Sequence, residues 1–146
     1  MKKIFCAALV LISFSFSKAP IASNTEEATI YIYRDGQFMS AGANWSMFVD
    51  EKKVCKLSNN KFIKVTVSKG KHVISSKIGG VGLLKKETEL ELEVKAGKSY
   101  YVACNVKQSI TRTRLELMEV TKSTAEKQMK DMSLDNCQET VEEPKK

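Results

Sequence analysis

Short runs in which apolar and polar residues alternate dominate the chain between residues 28 and 120. Alternation with a period of two places every second side chain on the same face of a strand, so each run predicts a half-buried β-strand. The clearest run extends from Thr88 to Lys95 and alternates leucine or valine with glutamate. The pattern predicts an all-β domain with antiparallel strands that are wet on one side.

The stretch from Trp45 to Ser76 organises this pattern. It contains four alternating runs, and polar residues at 50–53 and at 68–71 separate the first from the second and the third from the fourth. We expect two consecutive β-hairpins here, with their turns at these two places.

Two further strands have particular positions in the predicted fold. The run 28–34 is apolar on both faces, which favours a place in the middle of a sheet. The run 99–106 returns after a turn at 96–98, and its phase carries Cys104 to the core. We expect matching phases across this turn to form one wall of the core, made of Leu90, Leu92, Val94, Tyr100 and Val102.

The period changes after residue 120. The residues Ser123 to Glu126 fit a capping box, and good helix formers follow, so we expect a short C-terminal helix within 123–134, from about Thr124 to Met132. The charged tail 138–146 is expected to be disordered. About seven short strands (28–121) with regular turns and one terminal helix predict an immunoglobulin-like antiparallel β-sandwich.

The first 23 residues have the pattern of a secretory signal peptide. Lys2 and Lys3 precede an apolar run, Ile4 to Phe16, that is short for a membrane span. We expect cleavage between Ala19 and Asn24 and a bacterial protein that is periplasmic or secreted, and not integral to the membrane once it is cleaved. An uncleaved membrane anchor is the alternative.

Net charge adds little to this picture. The chain has 24 basic and 17 acidic residues, for a formal net charge of +7. Its lysines are spread over turns and interleaved with glutamate, whereas nucleic-acid binding requires a contiguous basic face. Solvated lysines that discourage aggregation of edge strands are the better interpretation, and no nucleic-acid partner is expected.

Four cysteines occur, and three remain once the leader that contains Cys6 is removed. An odd number in an oxidising compartment permits at most one internal bridge. Because Cys104 lies on the buried phase, Cys55 and Cys137 are the predicted pair. A Cys104–Cys137 bridge and three free thiols stay open as alternatives.

Several pieces of the chain resemble one family in the expected order. They are Ile30–Arg34, Met47–Asp50 with Lys53-Val54, Val65–Val67 with Lys69–His72, and Glu93–Val102. Together they resemble the DUF2846 domain of bacterial exported proteins, which is in turn similar to the PEGA-type sandwich. The resemblance implies a β-sandwich, export, and no established activity or catalytic residues. The chain has Asp50-Glu51 where Asp-Gly is common in the family, which leaves the type of the first turn open.

Candidate chemistry is sparse. His72 is the only histidine. The resemblance implies that it belongs to the turn-and-strand pattern after Lys69–Lys71, and we expect its ring to satisfy a backbone group at the end of the sheet. The alternative is a small hydrolase or thiol enzyme that uses His72 and Cys104. The glutamates of the alternating run share one face, as a solvated surface would, and no catalytic residue, metal site or cofactor is predicted.

The remaining candidate is a binding patch of Phe38, Met39 and Trp45 at one end of the sandwich. Its alternative is that Phe38 and Trp45 cover the core. The sequence thus favours an exported, non-catalytic module that binds an unknown envelope protein or glycan, or that serves a structural role in the cell envelope.

Overall fold

The computed structural model describes residues 26–38, 41–78, 88–108 and 113–137. These ranges contain nine strands and one helix, in the order β1 (Glu27–Arg34), β2 (Trp45–Val49), β3 (Lys52–Leu57), β4 (Lys61–Ser68), β5 (Gly70–Ile78), β6 (Glu89–Val94), β7 (Ser99–Gln108), β8 (Thr113–Val120), α1 (Lys122–Met129) and β9 (Ser133–Leu134).

The strands form two sheets that enclose one core. The five-stranded sheet has the order β8-β7-β1-β4-β9, and the four-stranded sheet has the order β3-β2-β5-β6. This confirms the predicted all-β sandwich, with nine strands among the described residues in place of about seven. Two of the strand pairs, β1–β7 and β4–β9, are parallel, and the others are antiparallel as predicted. The predicted leader at 1–23 and the tail at 138–146 lie outside the described residues. Within the described ranges, no helix is both long and apolar enough to cross a membrane.

Strand β1 lies in the centre of the five-stranded sheet, as its two apolar faces predict. It pairs antiparallel with β4 and parallel with β7. Its inward residues Ile30 and Ile32 are completely buried between the sheets, and Val102 of β7 is buried beside them. The outward face of β1 is also covered, because Tyr33 packs in a second cluster with α1.

The first predicted hairpin is confirmed. Strands β2 and β3 pair antiparallel around Asp50 and Glu51, whose φ angles are 49° and 64°. Two successive residues with positive φ are typical of a type I′ turn, which matches the right-handed twist of the paired strands. The chain therefore builds this turn without the glycine that usually relieves the left-handed conformation.

The second predicted hairpin is wrong. Strand β4 pairs with β1 in the five-stranded sheet, whereas β5 pairs with β2 and β6 in the four-stranded sheet. The chain changes sheets at a corner formed by Lys69 and by Gly70, the first residue of β5, which has a φ of 137°. A turn of this kind carries the same local sequence signals as a hairpin turn, so the alternation alone could not separate them.

The turn after β6 is a corner of the same type. Strand β6 is in the four-stranded sheet and β7 in the five-stranded sheet, with Gly97 between them at φ 70°. Leu92, Val94 and Val102 are buried, and Leu90 and Tyr100 pack partly buried against them, as predicted. They face each other from opposite sheets, however, and do not form one wall.

The helix is shorter than predicted and begins earlier. Its N-cap is Thr121, whose side chain accepts a hydrogen bond from the Thr124 backbone, so the predicted capping box at Ser123 is not the cap. The helix ends at Met129, and residues 133–134 of the predicted helical range form β9 beside β4. Ala125 is the buried residue through which the helix packs on the outer face of the five-stranded sheet.

Candidate functional site

His72 is held between two acceptors at the end of the sandwich that contains both sheet-changing corners. Its Nδ1 lies 2.6 Å from Asp50 Oδ2, and its Nε2 lies 2.8 Å from the backbone oxygen of Ser68. A carbonyl oxygen can only accept, so Nε2 carries a proton, and an ionised carboxylate likewise accepts from Nδ1. The geometry therefore fits the doubly protonated imidazolium.

The charges of this pair support each other. Burial of the His72 ring opposes its charged form, but the hydrogen bonds to Asp50 and to Ser68 outweigh burial, and the pKa of His72 is raised. The hydrogen bond from the Val73 backbone is the largest cause that lowers the pKa of Asp50, and His72 lowers it further. Both shifts favour the ion pair.

Asp50 reaches His72 because of the turn in which it lies. Its backbone N–H donates to Val73 O at 2.9 Å, and its Oδ1 accepts from Val73 N at 2.9 Å. One residue of the β2–β3 turn thus holds β5 by main chain and side chain together. The prediction that His72 satisfies a backbone group is confirmed by its bond to Ser68 O. Sequence reasoning missed Asp50, although an aspartate in a turn is a common hydrogen-bonding residue.

The predicted alternative of a thiol–imidazole pair is not formed. Cys104 pairs in register with Arg34, whereas Ser68, which binds the His72 ring, pairs with Glu27. Arg34 and Glu27 are seven residues apart on β1, so Cys104 and the acceptor of the His72 ring lie about 23 Å apart along the sheet at the usual rise of a strand. Cys104 is also 2 % exposed, and burial raises the pKa of its thiol. A buried thiol of this kind is a poor nucleophile.

A buried arginine lies beside Cys104. Arg34 follows Ile30 and Ile32 on the inward phase of β1 and is completely buried, and its Nη1 donates to Ala43 O. Burial lowers its pKa. Sequence reasoning missed this residue, although a charged side chain on the apolar phase of a central strand was a readable signal.

Cys55 and Cys137 form a disulfide, as predicted, with a Cα–Cα distance of 4.8 Å. Cys104 is the free cysteine among the described residues. Asp135 supports the bridge, because its Oδ1 accepts from Cys137 N at 2.9 Å and its Oδ2 from Ser58 N at 2.6 Å. Ligand-type atoms of Cys55, Asp135 and Cys137 lie within 4.8 Å of one another. Both sulfurs are consumed by the covalent bond, so the group acts as a staple between the edges of the two sheets.

The predicted binding patch loses one of its members. Trp45 is 2 % exposed and belongs to the core, as the alternative expected, so it is not part of a surface. Phe38 is fully exposed, which contradicts the alternative in which it covers the core. Met39 lies outside the described residues. Phe38 is thus the member that the structure places on the surface.

A family model with the description "Protein of unknown function (DUF2846)" matches residues 24–115. No curated protein and no solved structure matches the chain.

Proposed function

The chain belongs to the DUF2846 family, and on that premise we propose that it is an exported, non-catalytic β-sandwich that acts as a binding or structural module of a bacterial cell envelope. The observation that supports this most strongly is the Cys55–Cys137 disulfide. Stable disulfides are characteristic of oxidising compartments. The basic and apolar leader, residues 1–23, provides a route to such a compartment.

The engagement of His72 supports a non-catalytic role. Both of its ring nitrogens are occupied, one by Asp50 and one by the Ser68 backbone. An imidazole in this state has no free nitrogen with which to accept a proton from a substrate or nucleophile.

Phe38 is the residue we propose for partner binding. It is a fully exposed aromatic side chain in the loop between β1 and β2, where a rigid sandwich presents it. Aromatic side chains are enriched among the residues that carry binding energy at interfaces. The partner class is an envelope protein or a glycan.

Export is tested by fractionation of the native host and by intact mass of the recovered protein. We expect a species that begins between Ala19 and Asn24 and that contains the Cys55–Cys137 bridge in a non-reducing peptide map. Retention of residues 1–16, or a cytoplasmic and fully reduced protein, would overturn the proposal. Binding is tested by capture from envelope extracts with Phe38→Ala, which should lose the partner, and with Met118→Ala as the control at an exposed apolar residue of β8.

A further inference from the structure

The two edges of the four-stranded sheet carry opposite charge. Strand β3 is one edge and β6 the other, and within the described residues each pairs with a single neighbour. The outward side chains of β6 are Glu89, Glu91 and Glu93, all exposed. Strand β3 presents Lys53 and Lys56 on the same outer face of the sheet.

A β-bulge explains why both lysines point outward. They are three residues apart, so regular alternation would put them on opposite faces. The register between β2 and β3 shifts between Met47 and Phe48, so that Lys53 pairs with Phe48 and Lys56 with Ser46. The bulge therefore gives the two lysines the spacing of two residues on a regular strand, which is also the spacing of successive glutamates on β6.

Strand directions allow these edges to meet. Every neighbouring pair in the order β3-β2-β5-β6 is antiparallel, so β3 and β6 run in opposite directions. A second copy placed beside the first by translation along the sheet would set its β3 antiparallel to β6. The outer faces of the two sheets would then coincide, with lysines opposite glutamates.

We propose that copies of this chain associate head to tail through these edges, with β3 of one copy added to β6 of the next. Opposite charges directly across two strands stabilise their pairing, whereas like charges destabilise it. Edge charges thus oppose β3–β3 and β6–β6 contacts and favour only β3–β6. None of the five charged side chains forms an ion pair with another described residue, so all are available to a second copy.

This interface differs from a two-fold dimer. Each copy uses two different surfaces, so association leaves one unused edge of each type and continues along an open chain. The proposal concerns the folded domain and does not depend on export or on the role of Phe38.

Sedimentation velocity over a range of protein concentrations tests the head-to-tail association. The sample is the purified protein as it is recovered from the expressing cells. We expect association that weakens as salt is added, because exposed charges are screened. Lys53→Glu/Lys56→Glu makes both edges acidic, and Glu89→Lys/Glu91→Lys/Glu93→Lys makes both basic. Each variant alone should raise the concentration needed for association by at least about tenfold, since it replaces attractive cross-strand pairs by repulsive ones.

The decisive sample is an equimolar mixture of the two variants, in which every β3 edge again meets a β6 edge of opposite charge and association should return. Lys64→Glu/Lys127→Glu is the control matched to Lys53→Glu/Lys56→Glu, because it makes the same change in net charge at exposed positions away from both edges. It should associate as the unmodified chain does. Circular dichroism confirms that each variant is folded. An unmodified chain that stays monomeric at all concentrations, or a mixture that stays dissociated, would overturn the proposal.

Discussion

The imidazole of His72 and the carboxylate of Asp50 join two parts of the fold that are distant in sequence. Asp50 belongs to the type I′ turn after β2, and His72 follows the corner at which the chain leaves the five-stranded sheet. Their 2.6 Å contact therefore holds a hairpin turn against a sheet-changing corner. Since 51 % of the Asp50 side chain is exposed, solvent screens the pair and its stabilisation is modest.

The pair predicts a defined pH dependence of the free energy of unfolding. A raised pKa of His72 gives stabilisation that is complete below about pH 6.5, its usual unfolded value, and that disappears as the pH rises through the folded-state pKa. A lowered pKa of Asp50 gives stabilisation that is present above about pH 3.9 and that disappears as the pH falls through the folded-state pKa.

Asp50→Asn should therefore lower the free energy of unfolding most between about pH 3.9 and about pH 6.5, where both groups are charged, and less at pH 9. Urea unfolding at several pH values measures the difference from the unmodified chain. The control is Glu51→Gln. It removes a carboxylate from the same turn, but the Glu51 carboxylate forms no ion pair with another described residue. A cost of Asp50→Asn that is the same at pH 5.5 and pH 9 would contradict the ion pair.

Loss of the disulfide should lower stability by about 2–4 kcal/mol, because the bridge joins residues 82 positions apart and restrains the unfolded chain. The change is Cys55→Ala/Cys137→Ala, and thermal or urea unfolding measures it. Either single substitution breaks the same bond, so in samples with the remaining thiols blocked each should cost nearly as much as the double variant. If the losses of stability in the two single variants instead add up to the loss in the double variant, the assay reports the packing of the two side chains and not the disulfide bond.

Adjacent residues of β6 should respond very differently to truncation. Leu92 is 3 % exposed and Glu91 points outward. Leu92→Ala should cost about 2–5 kcal/mol through lost burial and a cavity, whereas Glu91→Ala should change stability by less than about 0.5 kcal/mol. Equal effects in the same unfolding assay would refute the phase of this strand.

The corner after β6 should depend on its glycine. A Cβ at Gly97 meets no atom within 4 Å, but φ is 70°, a conformation that L-residues adopt at a cost. Gly97→Ala should lower stability by about 1–2 kcal/mol through backbone strain alone. Gly42→Ala is the matched control, because it also meets no atom within 4 Å and has no left-handed φ. Equal free energies of unfolding for the two variants would exclude strain at the corner.

Local patterns predicted the strands, but among the strand pairings they predicted correctly only that of β2 with β3. Alternation is a property of neighbouring residues, so the buried phases of β1, β6 and β7 could be read directly. Pairing depends on contacts between distant residues, and the parallel pairing of β1 with β7 leaves no local signal. For this reason the sequence predicts a hairpin turn at the Gly70 corner, and at the Gly97 corner a turn between two strands of one wall.

The site residues divide in the same way. The backbone bond of His72 was an expectation from the family resemblance, and the buried phase of Cys104 favoured Cys55 with Cys137 over the alternatives that stayed open. The role of Asp50 required knowledge that β2 and β5 are neighbours, and the burial of Trp45 required knowledge that its strand begins inside the core. The observed N-cap, Thr121, lies two residues before the predicted cap, Ser123. The start of the helix depends on where β8 ends, and the local sequence does not fix that boundary to within two residues.

The position of Cys104 between the two bridged cysteines has a consequence for oxidative folding. It follows Cys55 and precedes Cys137, so a chain that emerges from its N-terminus offers Cys55 the wrong partner first. Docking of β7 against β1 removes that partner, because the inward phase of β7 buries the thiol and raises its pKa. A chain whose central sheet assembles before its cysteines react therefore avoids a Cys55–Cys104 bond, which the folded structure does not contain.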